Sequence, residues 1–300
     1  MATRYLSPTA DIAFKKIFGD KAHAHVTMDF LNNILGLSKG NFIVSVTFND
    51  TYNNRDYDED KLSIVDVRCT DETGKTYIVE MQSEFEPDFK ERCQYYASCE
   101  LSSQLRDGES FSMITPVILV GVLNFNLFSD HERYLTHHQL VDEYDQINYL
   151  KHLKFHFIEL KKFTKTEEEL ATDVERWIFF LKNATNYRDK PQGIAHDNKA
   201  IADAFEIINR VNWSRKELIE YERELDAQRR YKGKLNYERE EGREEGREEG
   251  REEGEKKGEK KGEKNALLAT ARNMLAKGSS IEFVQEVTGL AVDTIKKLKK

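Results

Sequence analysis

Leu62-Ser-Ile-Val-Asp66-Val-Arg-Cys-Thr70 and Thr76-Tyr-Ile-Val-Glu80-Met-Gln82 are two apolar, β-branched runs joined by Asp71-Glu-Thr-Gly-Lys75, a loop of turn-forming residues. Each run holds one acid among apolar neighbours: Asp66 between Val65 and Val67, Glu80 between Val79 and Met81. A hairpin that leaves the whole loop unpaired sets Thr70 against Thr76 and Cys69 against Tyr77. It therefore sets Asp66 opposite Glu80, with Cβ atoms about 5 Å apart. Gln82, two residues past Glu80, shares its face. A two-residue turn at Thr73-Gly74 would shift the register by one and send Glu80 to the face away from Asp66. Facing carboxylates destabilise a strand pair unless a cation neutralises them. Mg²⁺ fits that task, because it takes one or two carboxylates, waters and phosphate oxygens. The plain alternative is two solvated acids at a wet sheet edge, or ion pairs with Arg68 or Lys75.

Outward from the hairpin, the patterning predicts a helix over 8–36 stopped by Gly36, and a strand at Phe42–Phe48 followed by a polar, turn-rich stretch from Asn49 to Asp60. Beyond the hairpin it predicts a helix over 88–106, strands at Pro116–Phe125 and Lys154–Leu160, and helices filling most of 166–183, 197–211 and 214–232. This order makes a mixed α/β domain over residues 1–235. Residues 236–264 change character. Glycine recurs every fourth position from Gly242 to Gly262, between Arg-Glu-Glu and Glu-Lys-Lys triplets. Each Gly costs about 1 kcal/mol in a helix, so a solvated spacer, part helix and part disordered, is expected over a glycine-lined coiled contact. Residues 265–300 read as helix, glycine turn, helix. They carry six Lys/Arg against three Asp/Glu, which suits either a helix-turn-helix on phosphates or a small oligomerisation cap.

The chain has 300 residues, 39% of them hydrophobic, with 46 basic and 54 acidic side chains and a net charge of −8. That charge argues against a broadly basic nucleic-acid coat but not against a small metal-assisted phosphate site. The three cysteines form no zinc spacing, and no secretory leader or membrane-length apolar run is evident, so a reduced, cytoplasmic setting is expected. No phosphate-binding glycine loop supports a nucleotide cofactor. His137-His138 and the His152/His156 pair suit surface or core roles better than metal ligation, and Cys93 and Cys99 suit packing.

Asp-x(13)-Glu-x-Gln across a hairpin resembles the PD-(D/E)XK nuclease signature, with Gln82 where a Lys usually stands. More closely, the chain resembles the recombination-promoting nuclease (Rpn) family, also described as PD-(D/E)XK family transposases. The similarity runs through Ser7–Gly19, Ser63–Arg68, Gly74–Gln82, Arg92–Ala97, Ile158–Phe163 and Trp177–Lys182. It implies a restriction-endonuclease-like core, a mixed central sheet flanked by helices, that cuts DNA with Mg²⁺ (Mn²⁺ as a substitute). Asp66 and Glu80 would be metal ligands. Gln82 would replace the Lys that positions water and phosphate, although a neutral amide supplies hydrogen bonds and no charge. Asp11 matches the family's acid on the first helix; the alternative is a helix-start residue. Lys15, one turn on, would meet phosphate or pair with Asp11. Arg92 would clamp phosphate or pair with Glu80 or Glu84. Tyr96 shares the face of Arg92 and suits a core ring better than a nucleophile. A homodimer would allow two cuts, and no membrane partner is expected.

Overall fold

The computed structural model describes residues 3–49, 52–53, 63–189, 191–195 and 198–298. In chain order the elements are α1 (Asp11–Phe18), α2 (Ala24–Ile34), β1 (Val46–Phe48), β2 (Tyr52–Asn53), β3 (Ser63–Ile64), β4 (Val67–Asp71), β5 (Thr76–Gln82), α3 (Phe89–Ser103), β6 (Val117–Leu123), β7 (Leu135–Gln139), β8 (Leu153–Glu159), α4 (Asp173–Asn183), α5 (Gln192–Ala195), α6 (Lys199–Ile207), α7 (Arg215–Ala276), α8 (Ile281–Thr288) and α9 (Val292–Leu298). Residues up to Arg229 form one compact unit and Arg230–Lys300 a second.

In the first unit, six strands form a mixed sheet in the order β1-β4-β5-β6-β8-β7. β5, β6 and β8 run parallel at its centre, and the other pairs are antiparallel. Strand β6, Val-Ile-Leu-Val-Gly-Val-Leu, is buried along its whole length, as a central strand covered on both faces must be. One face packs on α1, α2, α4 and α6 through Phe14, Phe18, Phe30, Trp177, Phe180 and Phe205. The other packs on α3 through Ile78, Phe89, Leu119 and Phe157. The predicted layered α/β architecture is therefore present.

The β4–β5 register is the one that the long loop requires: Thr70 opposite Thr76, Cys69 opposite Tyr77, and Val67 opposite Val79. Asp71 makes the loop. Its carboxylate accepts from the Thr73 amide at 2.8 Å, the Thr73 hydroxyl at 2.7 Å, the Lys75 amide at 3.0 Å and the Tyr77 hydroxyl at 2.7 Å. Gly74 takes φ +82°, a left-handed value that a side chain resists.

Several element boundaries differ from the sequence reading. The helix predicted over 8–36 is two, α1 and α2, because the chain breaks at Gly19-Asp20 and turns through a short 3₁₀ segment, Lys21–His23. Only the second half of the Phe42–Phe48 run is strand. The Leu62–Thr70 run is interrupted by a bend at Asp66, with only Val67–Asp71 in the main sheet. The turn-rich stretch from Asn49 to Asp60 lies largely outside the described residues. Edge strand β7 was not predicted. Its sequence, Leu-Thr-His-His-Gln, lacks the apolar alternation of a buried strand because most of it faces outward.

In the second unit the glycine repeat is helical throughout, inside α7, rather than part disordered. Pairs such as Arg247–Glu244, Arg251–Glu248 and Lys257–Glu253 line its surface. Its end packs with α8 and α9 around Ala271, Val284 and Ile295. Ser280 caps α8 through the Phe283 amide, and Gly289 ends it at φ +67°. Among the described residues no helix is long and apolar enough to cross a membrane.

Candidate active site

The two acids lie where β4 begins and β5 approaches its end. At Asp66 the chain bends out of the strand, and its carboxylate Oδ2 accepts the Met81 amide at 2.8 Å. A side chain thus occupies the place of a ladder carbonyl, which limits β4 at its start, Val67, and turns the Asp66 head toward β5. Glu80 is buried on the α3 face of β5. Its neighbour in β6 is Gly121, where a Cβ would come within 2.8 Å of the Phe157 ring. The glycine lets that aromatic ring close over the sheet beside Glu80.

Burial dominates the electrostatics. Asp66 is pushed up to about 6, first by burial and then by the Asp11 carboxylate, against the Met81 amide and Lys15. Glu80 is pushed up to about 8, first by burial and next by the charge of Asp66. Glu80 Oε1 is buried and has no hydrogen-bond partner. An acceptor oxygen in that state costs about 1–3 kcal/mol unless something binds it. These two acids therefore fit a divalent cation: two oxygen donors, mutually repelling when ionised, one of them lacking a partner. Among the described residues no group of three or more His, Cys, Asp or Glu gathers as a complete metal cage.

Two helices bring the remaining predicted residues to this pair. From α1, Lys15 Nζ stands 2.7 Å from Asp11 and 3.5 Å from Asp66 Oδ1. Burial lowers the Lys15 pKa, but the hydrogen bond and charge of Asp11, with those of Asp66, outweigh it and leave a net rise. From α3, Arg92 donates Nη2 to Gln82 Oε1 at 2.6 Å and pairs with Glu86. The partner is neither Glu80 nor Glu84, although the Arg92 charge lowers the Glu80 pKa. Gln82 Nε2 donates to the Glu84 carbonyl and to Glu86 Oε1, each at 3.1 Å. Gln82 is thus the hinge of an Arg92–Gln82–Glu86 triangle. Tyr96 is half-buried against the α3-side core.

Glu86 was missed, because a loop acid six positions before Arg92 has no periodicity to flag it. The histidines meet differently from either sequence-based pairing: His137 on β7 and His156 on β8 bring their Nδ1 atoms within 2.5 Å of each other. The cysteines are free, and burial pushes the Cys69 and Cys93 thiols up to about 12.

The model of the PD-(D/E)XK nuclease family transposases matches residues 8–238. The chain belongs to this family. The match spans the whole sheet, both carboxylates and the two helices that flank them, so the mixed sheet is the family's restriction-endonuclease-like core. A second match, to the C-terminal HTH domain of the Rpn/YhgA-like nuclease family, covers residues 264–300. For the tail it favours the helix-turn-helix reading over the oligomerisation cap. No curated protein and no solved structure matches the chain.

Proposed function

We propose that the chain is a Mg²⁺-dependent endodeoxyribonuclease that hydrolyses phosphodiester bonds, with a role in recombination, transposition or defence against foreign DNA. The observation that carries this reading is the buried, unpartnered Glu80 Oε1 beside Asp66. Asp66 and Glu80 would hold the ion; Mn²⁺ would serve in its place. A bound ion supplies Lewis acidity and neutralises charge at the reacting phosphate. Both acids must lose their protons to bind it, so loading releases protons near neutral pH. Asp11 holds Lys15 in place, and the Lys15 ammonium gives the site a cation that Gln82 cannot provide. The Arg92 guanidinium, fixed by Gln82 and Glu86, is a second point for phosphate oxygens. Tyr96, on the same face of α3, would line the DNA path. The six basic residues of 265–300 support DNA contact by the tail. A cytoplasmic location suits both roles, and a homodimer would set two sites for a double-strand cut.

The engagement of Gln82 with Arg92 and Glu86 also favours a second reading, a weak or inactive nuclease fold that binds DNA as an assembly module. Supercoiled-plasmid nicking decides between them. Wild-type protein with Mg²⁺ should nick, chelator should stop it, and Asp66→Ala or Glu80→Ala should each lower the rate by about 100-fold or more. Cleavage that neither substitution reduces removes the site assignment; no cleavage with intact DNA binding supports the second reading.

A further inference from the structure

Helix α1 starts without a cap of its own. Its N-cap residue is Ala10, in extended backbone, and offers no side-chain acceptor to the first turn. The first amides of a helix need partners, which Ser, Thr, Asp or Asn usually supply locally. Here the partner comes from 213 and 212 residues away for the first two amides. Glu224 on α7 accepts the Asp11 amide at 2.5 Å through Oε1 and the Ile12 amide at 3.1 Å through Oε2. Gln228, one turn on, steadies Glu224 with an Nε2 bond of 2.9 Å.

The same stripe of α7 continues the grip. Tyr221 accepts the Ser7 amide at 2.8 Å, and Glu217 pairs with Lys16, whose ammonium lies 4.5 Å over the Trp213 ring. Glu217, Tyr221, Glu224 and Gln228 are spaced by four, three and four, so one helical face makes every contact. The segment held in this way is the one that carries chemistry. The capped Asp11 is the residue whose carboxylate anchors Lys15, and Lys15 reaches Asp66.

We infer that Glu224 is a positioning residue of the nuclease site: it caps α1 from α7 and so fixes where Asp11 and Lys15 meet Asp66. This inference rests on the nuclease reading, but the cap can be read without activity.

The test compares the full chain with Glu224→Ala and with the double variant Ala10→Ser/Glu224→Ala. In the double variant a local serine takes over the cap. Amide hydrogen exchange at residues 11–15 should quicken about tenfold in Glu224→Ala and return toward wild type in the double variant. Saturating-DNA nicking should fall about tenfold and recover in parallel, with the KM for DNA little changed, since a small displacement of a catalytic group costs rate. Mg²⁺ affinity by calorimetry, read on all three proteins, should weaken several-fold and recover likewise.

Unchanged exchange in Glu224→Ala overturns the cap. Faster exchange with unchanged nicking and Mg²⁺ affinity overturns the positioning role, as does restored exchange without restored nicking. A wild type that neither nicks nor binds Mg²⁺ removes the site itself, a result distinct from either of these.

Discussion

Glu80 is a carboxylic acid in a place that disfavours its charge. Its ordinary value of 4.5 is raised to about 8 by burial and by Asp66. Between those values the folded chain keeps a proton that the unfolded chain releases. Stability from this group is therefore full below about pH 4.5 and declines as the pH rises toward 8. Asp66, raised from 3.8 to about 6, acts in the same direction over a lower range. In chelator, Glu80→Gln should melt near the wild-type temperature at pH 4 and clearly above it at pH 8. Added Mg²⁺ should reverse the order by stabilising only the protein that binds it. Melting curves at the two pH values check this, and an equal difference at both would mean that Glu80 titrates as an ordinary acid. Both acids and Gln82 were legible because each interrupts or follows an apolar strand run. Glu86 was not, since only the folded loop brings it to Arg92.

At the scale of elements, the hairpin decides whether the acids meet. The register that a loop at Asp71-Glu-Thr-Gly-Lys75 implies was legible and is the one observed, but Asp71 stays in β4 and donates its amide to the Lys75 carbonyl, so only Glu72-Thr-Gly74 lie outside the ladder. The bend at Asp66 was not legible, because a strand pattern gives no sign that a carboxylate will replace a backbone carbonyl in the ladder. Gly74 holds the loop at φ +82°, and an added Cβ would also lie 3.3 Å from Thr115 Cγ2. Gly74→Ala should cost about 1 kcal/mol and lower the melting temperature by about 2–4 °C. An unchanged transition would show that the loop tolerates a side chain in this conformation. The glycine repeat predicts partial disorder, because its Glu–Arg and Glu–Lys pairs, at about 0.2–0.5 kcal/mol each, offset only part of the glycine cost. The fold nonetheless carries one helix through it.

At the scale of the molecule, each of the two units has its own core, a large sheet-based one and a three-helix cluster. Removing 238–300 should weaken DNA affinity and its salt dependence while leaving the single-turnover rate at saturating DNA nearly unchanged. Fluorescence anisotropy and single-turnover nicking measure the two separately, and equal affinity with and without the tail would assign it another role. The sequence alone determined the mixed α/β class, the acid-bearing hairpin, the helical tail and the family resemblance, because periodicity and turn chemistry are local. Only the tertiary structure decided the strand order, the edge position of β7, the arrival of α1 on Asp66 and of α3 on Gln82, and the cap that Glu224 places on Asp11. Those contacts join residues far apart in the chain, and their free energy comes from closing one core around them, which no stretch of sequence carries by itself.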